Sequence, residues 1–331
     1  MNSVTPTIVL SAPIARNVII LWHSARFAEV KYLPINQFIF SLACSPIFIL
    51  LAETLGNRTL RQPYYNLEME DKHREIREQI LDSSFLANKG HVGSALSVVE
   101  LLSSVLDCVR GLGSDDLSRD RFILSKGHSA LTLYAELNRR GLMSDEVLES
   151  YSRDGSLLGT HPYRQMSGID FSTGSLGQGL TFAVGASLAA LLRRDGGKVF
   201  CLCSDAELNE GSFWEGIFFA GHHALSNLTV LVDVNGQQAL APTKEVIDMS
   251  NAPEAARAHN WEVLSLDGHS SEELVDALGQ AGKSKTPSVI FARTISGKGV
   301  DFMEREVAWH YHALDSDSLR EAKSSLVRHL S

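Results

Sequence analysis

Short apolar runs rich in β-branched residues alternate with helical segments over most of the chain. Four of these runs are typical of strands and have the sequences KVFCLCS (198–204), LTVLVDV (228–234), WEVLSLD (261–267) and SVIFART (288–294). The segments between them place apolar residues three or four positions apart, which is the spacing of a helix with one buried face. Strands that alternate with helices form a parallel sheet covered on both faces. The sequence therefore predicts an α/β fold with a parallel sheet flanked by helices.

Composition and charge narrow the classes of function. The chain has 331 residues, of which 44% are hydrophobic and 21% are charged, as in an ordinary globular enzyme or binding protein. A net charge of -9 without long Lys/Arg runs argues against recognition of a phosphate backbone, so we expect no nucleic-acid partner. The four cysteines lack metal-site spacing, which predicts reduced thiols in a cytoplasmic protein.

The first part of the chain differs in character from the rest, and we predict an extension over residues 1–66 before a main domain over 67–331. An apolar run at 38–51 is interrupted by Pro46 and is too short for a spanning helix, so we expect no membrane span. A weak anchor, a packed extension and a start codon assigned too early all remain open. A start codon assigned too early has specific support in the sequence, because Met69 directly precedes an amphipathic helical segment.

Two oxygen-bearing side chains follow predicted strands directly. Asp205 comes after the first of the four strands, and Asn235 comes after the second. In open α/β sheets ligands bind beyond the carboxyl ends of the strands, and a hard divalent cation prefers oxygen ligands. Asp205, the side-chain oxygen of Asn235 and a backbone carbonyl near Gln237 therefore form a candidate metal site. Taken alone, the same residues could equally be helix caps and turn formers.

Six segments, in this order, resemble the transketolase family from about Glu70 to the C-terminus. Their sequences are KGHVG (89–93), SKGH (125–128), GTHP (159–162), TGSLGQG (173–179), SDAELNEG (204–211) and VAWH (307–310). A lone histidine is most often a packed or surface residue. Four of these segments each contain one histidine, and the four segments follow one another in the family's order. This favours a functional interpretation of all four histidines.

The resemblance implies a thiamine diphosphate site with Mg²⁺, or another divalent cation such as Ca²⁺ or Mn²⁺. Asp205, Asn235 and the carbonyl of Gln237 would hold the metal against the cofactor diphosphate. Gly174 would approach the cofactor, and the side chain of Leu176 would pack near its rings.

The resemblance also assigns roles to the histidines and to two glutamates. His128 and His310 would lie near the diphosphate, with His310 also facing the substrate channel, whereas His91 and His161 would bond substrate oxygens. Ketol transfer requires proton transfers near neutral pH, which suits imidazole. By the same resemblance, two acidic residues, Glu210 and Glu215, would lie at the subunit contact that links two cofactor sites.

This sequence departs from the family pattern in one loop. The family motif opens with Gly-Asp-Gly, whereas this chain has Ser204-Asp205-Ala206. Ala206 keeps the amide that would reach a phosphate oxygen. A Cβ at these positions, however, disfavours a positive φ angle and a close approach of the backbone to a ligand. We therefore expect weaker binding of the cofactor.

The resemblance ends with this chain, so the pyrimidine-binding domain and its catalytic glutamate would belong to a second subunit. It implies the N-terminal subunit of a two-chain transketolase, which transfers a two-carbon ketol unit from a ketose, expected to be a phosphate, to an aldose. The pair would form a heterotetramer. Three alternatives remain: the α subunit of a 2-oxo acid dehydrogenase, a deoxyxylulose-phosphate synthase, and a non-catalytic partner subunit with an impaired cofactor site.

Overall fold

The computed structural model describes residues 7–9, 17–24, 27–34 and 58–328, with side chains at residue 69 and over residues 71–328. The chain divides into two compact units, Met1–Glu70 and Asp71–Ser331. The predicted boundary between 66 and 67 stays a prediction. The apolar run at 38–51 lies outside the described residues.

The first unit contains a small antiparallel sheet with strand order β1-β2-β3. Its strands are β1 (Thr7–Val9), β2 (Asn17–Ser24) and β3 (Phe27–Pro34). Helix α1 (Arg58–Ala87) begins upstream of Met69 and continues through the predicted amphipathic segment. None of the helices in the described part of the chain is long and apolar enough to cross a membrane.

The second unit is built on a five-stranded parallel sheet with strand order β4-β5-β6-β8-β7. The strands are β4 (Arg121–Leu124), β5 (Val199–Ser204), β6 (Leu228–Val234), β7 (Glu262–Asp267) and β8 (Ser288–Arg293). The predicted α/β fold is confirmed. The four predicted strands are β5 to β8, whereas the edge strand β4 is only four residues long and was not predicted from the sequence.

Helices cover both faces of this sheet. They are α2 (Val92–Ser97), α3 (Val99–Cys108), α4 (Ala130–Arg139), α5 (Asp145–Glu149), α6 (Gln178–Arg193), α7 (Gly211–His222), α8 (Thr243–Val246), α9 (Ala252–Ala258), α10 (Ser271–Ala281) and α11 (Ser316–Arg328). Three 3₁₀ turns, Gly127–Ser129, Asp205–Asn209 and Val307–His310, carry residues of the predicted site.

Strand β5, which lies between β4 and β6, shows why the sheet needs both helical layers. Its six residues are all buried. Because side chains alternate along a strand, Phe200 and Leu202 pack into one hydrophobic core, whereas Cys201 and Cys203 pack into the other. Both of these cysteines are free thiols, and so is the exposed Cys108.

The strand register aligns the loops that leave the sheet. Ser204 pairs with Asp233 across β5 and β6, and Asp233 pairs with Ala292 across β6 and β8. The strands are parallel, so the segments that follow them leave the sheet at the same edge. This edge carries the candidate functional site.

Candidate active site

Asp205 stands at the start of the 3₁₀ turn after β5 and is 2% exposed. Its Oδ2 accepts hydrogen bonds from the amide of Gly236 and from Oγ1 of Thr243, each at 2.9 Å. Its Oδ1 is buried and has no hydrogen-bond partner in the described part of the chain. A buried carboxylate oxygen without a donor is costly unless a ligand completes its environment. Asp205 therefore fits the position of a cation ligand.

Asn235 follows β6 and lies in the loop that contacts Asp205. Its Nδ2 donates to Oδ2 of Asp233 at 2.8 Å, and its Oδ1 accepts from the amide of Gln237 at 2.9 Å. The bond between Gly236 and Asp205 ties this loop to the first one. The structure thus brings together the segments of all three predicted metal ligands: Asp205, Asn235 and Gln237.

Burial, reinforced by the nearby charge of Asp233, raises the pKa of Asp205 to about 7. An ionised Asp205 in this position lacks the solvation that it would have in water. A divalent cation at Oδ1 would compensate for that loss and favour the ionised form. The raised pKa of Asp205 and its Oδ1, which lacks a partner among the described residues, therefore both favour a divalent cation as the ligand.

The four predicted histidines form one cluster around His91. The ring centroid of His91 lies 5.3 Å from that of His310, 5.8 Å from that of His128 and 6.1 Å from that of His161. The rings of His128 and His310 are 5.4 Å apart. Four segments far apart in sequence therefore converge on one place, as the order of the motifs indicates.

His91 is held in an unusual conformation. Its φ is +66°, in the left-handed region, and its amide donates to the carbonyl oxygen of His310 at 2.8 Å. Its Nδ1 is buried and has no hydrogen-bond partner among the described residues. A non-glycine residue in this region costs free energy and is frequently found at functional sites. Within the described part of the chain, His91 thus keeps one ring nitrogen without a hydrogen bond in the middle of a cluster of imidazoles.

The surroundings keep these imidazoles neutral. Burial, followed by the charge of Lys126, lowers the pKa of His128 well below its usual range. Burial, followed by His91 and Lys126, lowers that of His310 to about 4. Burial also lowers the pKa values of His91 and His161. A neutral imidazole has one donor and one acceptor nitrogen, so near pH 7 each ring can donate one hydrogen bond and accept another, and its acceptor nitrogen can take up a proton.

A buried ion pair between Lys126 and Asp233 adjoins the predicted metal ligands and the histidine cluster. It was not predicted from the sequence. Both side chains are fully buried. Asp233 also accepts hydrogen bonds from Ser97, Thr294 and Asn235. Burial opposes the ionisation of Asp233, but Lys126 and the bonds from Thr294 and Asn235 lower its pKa. The sequence shows one charged residue at or near the end of each of two apolar segments, LSK and VDV, but it does not show that the two residues pair.

The glycine-rich loop closes on the histidine cluster. Gly174 has a φ of +152°, and a Cβ there would lie 3.1 Å from Cδ2 of His161. A Cβ on Gly127 would lie 3.0 Å from Oγ1 of Thr173. Both positions therefore require glycine, and they keep the backbone accessible beside the imidazoles. Leu176, in the same loop, is partly exposed.

The departure at Ser204 and Ala206 does not strain the backbone. Ser204 is extended, with φ of −100°, and Ala206 is not among the residues with positive φ. Positive φ is therefore not required at this loop, contrary to the concern raised by the sequence. The expected weaker cofactor binding stays a prediction, because it also depends on how closely a phosphate approaches Ala206.

Glu207 is a further residue that sequence reasoning missed. It is fully buried and accepts hydrogen bonds from the amides of Gly177 and Ser204, at 2.9 and 2.8 Å, and from the hydroxyl of Ser125. It therefore joins three loops of the site. By contrast, Glu210 and Glu215 are exposed near the start of α7, and their role at a subunit contact stays a prediction.

A parallel sheet that carries a buried, partly unpartnered carboxylate and a cluster of neutral histidines at one edge, within the described residues, is typical of an α/β enzyme. The sequence profile described as "Transketolase, thiamine diphosphate binding domain" matches residues 70–329. The chain belongs to this family, and it is a transketolase-type transferase with a thiamine diphosphate-binding domain.

Relatives include both separate subunits and longer single chains. A 6-deoxy-6-sulfo-D-fructose transketolase subunit of Clostridium sp. strain MSTE9 is 34% identical over 267 residues, covering 79% of this chain and 97% of that protein. An apulose-4-phosphate transketolase subunit of Phocaeicola vulgatus is 30% identical, covering 77% of this chain and 92% of that protein.

The longer relatives match over only part of their length. Mouse transketolase is 34% identical, but the match covers 39% of that protein. The crystal structure of transketolase from Campylobacter jejuni superimposes with a TM-score of 0.72 at 30% identity, covering 78% of this chain and 42% of that one. The match thus spans about two fifths of these longer proteins but nearly the whole length of the two relatives named as subunits.

Proposed function

We propose that this chain is the diphosphate-binding subunit of a two-chain transketolase and holds Mg²⁺, or Ca²⁺ or Mn²⁺, together with thiamine diphosphate. The observation that carries the proposal is the buried Oδ1 of Asp205, which has no hydrogen-bond partner among the described residues. It lies in a site whose Lys126 acts electrostatically on Asp205 and on two of the clustered histidines. Asp205, Asn235 and the carbonyl of Gln237 would be the metal ligands.

The residues of this chain would then have separate tasks. When bound, thiamine diphosphate acts as an electron sink for the carbon that loses its bond to the rest of the ketose. His128 and His310 would donate hydrogen bonds to the diphosphate, and the amide of Ala206 would do the same. His91 and His161 would hold and exchange protons with the substrate oxygens, for which their neutral state is suited.

The partner in this proposal is a second polypeptide with the pyrimidine-binding domain, assembled with this chain as a cytoplasmic heterotetramer. Two observations support it: the two relatives named as subunits match over nearly their whole length, whereas mouse transketolase matches over 39%. Glu210 and Glu215 are exposed at the start of one helix and are available for such a contact.

The substrates would be a ketose donor and an aldose acceptor. The two subunit relatives are named for a sulfonated ketose and for a ketose phosphate, both of which carry an anionic group. We infer an anionic ketose, expected to be a phosphate, for this chain as well. The four predicted histidines are half-buried, converge on one place and have lowered pKa values. This arrangement argues against a non-catalytic partner subunit, because withdrawing polar rings from water without a use for them is costly.

Reconstitution tests the proposal. The chain is mixed with a candidate pyrimidine-binding subunit, thiamine diphosphate, Mg²⁺, a ketose phosphate and an aldose phosphate. Chromatography detects the two products: a ketose two carbons longer than the aldose acceptor, and an aldose two carbons shorter than the ketose donor. We expect product only when both chains and the cofactor are present. His128→Asn should abolish it, whereas the exposed control His223→Asn should not. Product from this chain alone, or from the His128→Asn variant, would contradict the proposal.

A further inference from the structure

A buried carboxylate outside the candidate active site, Glu100 on α3, is held from two sides. Its Oε1 accepts from Nη2 of Arg77 at 2.7 Å, and its Oε2 is 3.0 Å from Nδ1 of His269. Nδ1 of His73 lies 3.8 Å from Oε1. Burial opposes the ionisation of Glu100, but Arg77 and His269 hold its pKa well below the usual range.

Arg77 and His269, which both contact Glu100, also form hydrogen bonds with one loop, residues 294–298, which follows β8. Nε of Arg77 donates to the carbonyl oxygen of Lys298 at 3.0 Å. The amide of Ile295 donates to Nε2 of His269 at 2.9 Å. The two ends of the 294–298 loop are therefore tied to one buried carboxylate through two side chains.

The hydrogen bond between the amide of Ile295 and Nε2 of His269 requires one tautomer of the neutral His269 ring. A backbone amide can only donate a hydrogen bond, so Nε2 must be the ring nitrogen without a proton. The proton of the neutral ring is then on Nδ1, from which it is donated to Glu100. His269 thus acts as donor on one side and acceptor on the other, which no protonated imidazole can do.

The 294–298 loop contacts both halves of the candidate site. The hydroxyl of Thr294 donates to Oδ1 of Asp233, whose Oδ2 accepts from Nδ2 of Asn235. The amide of Gly297 donates to the carbonyl oxygen of Gly93 at 2.9 Å, two residues from His91. A displacement of this loop would therefore reach the metal ligands and the histidine cluster together.

We propose that His269 is a positioning residue for the cofactor site: it ties the 294–298 loop to Glu100, and the loop in turn sets the orientation of Asp233 and of the segment that carries His91. This inference rests on the proposed function, because it assigns His269 to the same site. Within the described part of the chain, the hydrogen bonds of His269 reach none of the predicted metal ligands or catalytic histidines, so its effect is transmitted through the loop.

Two substitutions separate the two bonds of His269. In His269→Gln the side-chain oxygen lies near the position of Nε2 and can accept from Ile295. In His269→Asn the shorter amide lies near the position of Nδ1 and can donate to Glu100, but it does not reach Ile295. The pair is matched, since both variants replace the ring with a neutral amide of similar polarity.

Hydrogen–deuterium exchange of the full-length chain measures the loop directly. In the wild type we expect peptides that contain Ile295 to exchange slowly. In His269→Asn we expect exchange about tenfold faster, the effect of losing one buried hydrogen bond, whereas His269→Gln should stay close to the wild type. Unprotected exchange of Ile295 in the wild type would overturn the inference even if both variants failed to fold.

Calorimetric titration of thiamine diphosphate with Mg²⁺ into the assembled two-chain complex gives the functional readout. We expect the Kd to rise about tenfold in His269→Asn and to stay within about twofold of the wild type in His269→Gln, a range typical of residues behind metal ligands. Equal losses in both variants would overturn the positioning role. If the wild-type complex binds no cofactor, the proposed function fails, while the exchange experiment still decides whether His269 holds the loop.

Discussion

The carboxylate of Glu207 accepts a hydrogen bond from the backbone amide of Gly177 at 2.9 Å, across thirty positions of sequence. The same side chain accepts from the amide of Ser204 at 2.8 Å and from the hydroxyl of Ser125. One buried residue thereby joins the glycine-rich loop, the loop that carries Asp205 and the segment that leads to His128. The serine that replaces a family glycine at 204 is part of this arrangement, since its hydroxyl also lies 3.3 Å from Glu207.

Replacing Glu207 with alanine should destabilise the chain by about 3 kcal/mol, because two buried backbone amides lose their acceptor. Urea unfolding of the isolated chain measures the free energy of unfolding. Glu245→Gln, at an exposed position on α8, is the control and should change it by less than about 0.5 kcal/mol. An unchanged stability in Glu207→Ala would mean that the three loops are held in another way.

Asp205→Asn should remove the loss of stability that the cofactor-free chain suffers when the buried Asp205 ionises as pH rises. The pKa of Asp205 is raised from 3.8 to about 7 by burial, so its contribution to stability is fully present below about pH 4 and is lost as pH rises towards 7. The neutral amide has no such dependence. We therefore expect the Tm of the variant, relative to that of the wild type, to increase from pH 5 to pH 7.

Thermal unfolding by circular dichroism over this pH range provides the measurement. The exposed Asp276→Asn on α10 serves as the control and should show no such trend. A constant difference in Tm between Asp205→Asn and the wild type would show that Asp205 is already ionised at no cost in the folded chain.

Acidification should destabilise the chain through two histidines that are withdrawn from solvent, the buried His73 and the half-buried His310. Burial lowers the pKa of His310 to about 4, and burial likewise lowers that of His73 to about 4. The unfolded chain takes up protons near pH 6.5, so this stability is present above pH 6.5 and is lost as pH falls towards 4. In His310→Asn the loss of Tm between pH 7 and pH 5 should be smaller than in the wild type. An identical loss in both would contradict the low pKa of His310.

Gly174→Ala should weaken cofactor binding and stability together. A φ of +152° disfavours alanine, and the added Cβ would press on the ring of His161 at 3.1 Å. We expect a loss of about 1–3 kcal/mol in the free energy of unfolding. Gly185→Ala in helix α6 is the matched control, because a Cβ there meets nothing within 4 Å, and it should be neutral or slightly stabilising. Equal stabilities of the two variants would argue against the strain at Gly174.

The sheet could be predicted because strands β5 and β6 are apolar on both faces, which leaves few other ways to bury them. The edge strand β4 escaped prediction because four residues give too short a pattern. The histidine cluster was predicted through motif order, since four imidazoles at those positions have a common chemical use. No local pattern indicates that Lys126 and Asp233 pair, because their contact depends on the register of β4, β5 and β6.

Glu207 and His269 were missed for a related reason. Each resembles an ordinary polar residue near a helix start, and only the fold reveals that its acceptors face amides from distant loops. The backbone at Ser204 and Ala206 illustrates the opposite case. A family comparison of glycines predicted a conformational cost there, but the 3₁₀ turn that begins at Asp205 has no need of a positive φ.

The central claim is that Asp205 holds a divalent cation against the diphosphate of the cofactor. Isothermal titration calorimetry of thiamine diphosphate with Mg²⁺ tests it most directly, with this chain assembled with a pyrimidine-binding subunit and with Asp205→Ala compared to the wild type. We predict saturable binding to the wild-type complex and none to the variant. Equal affinity in the two proteins, or an assembled wild-type complex that does not bind the cofactor, would contradict the claim.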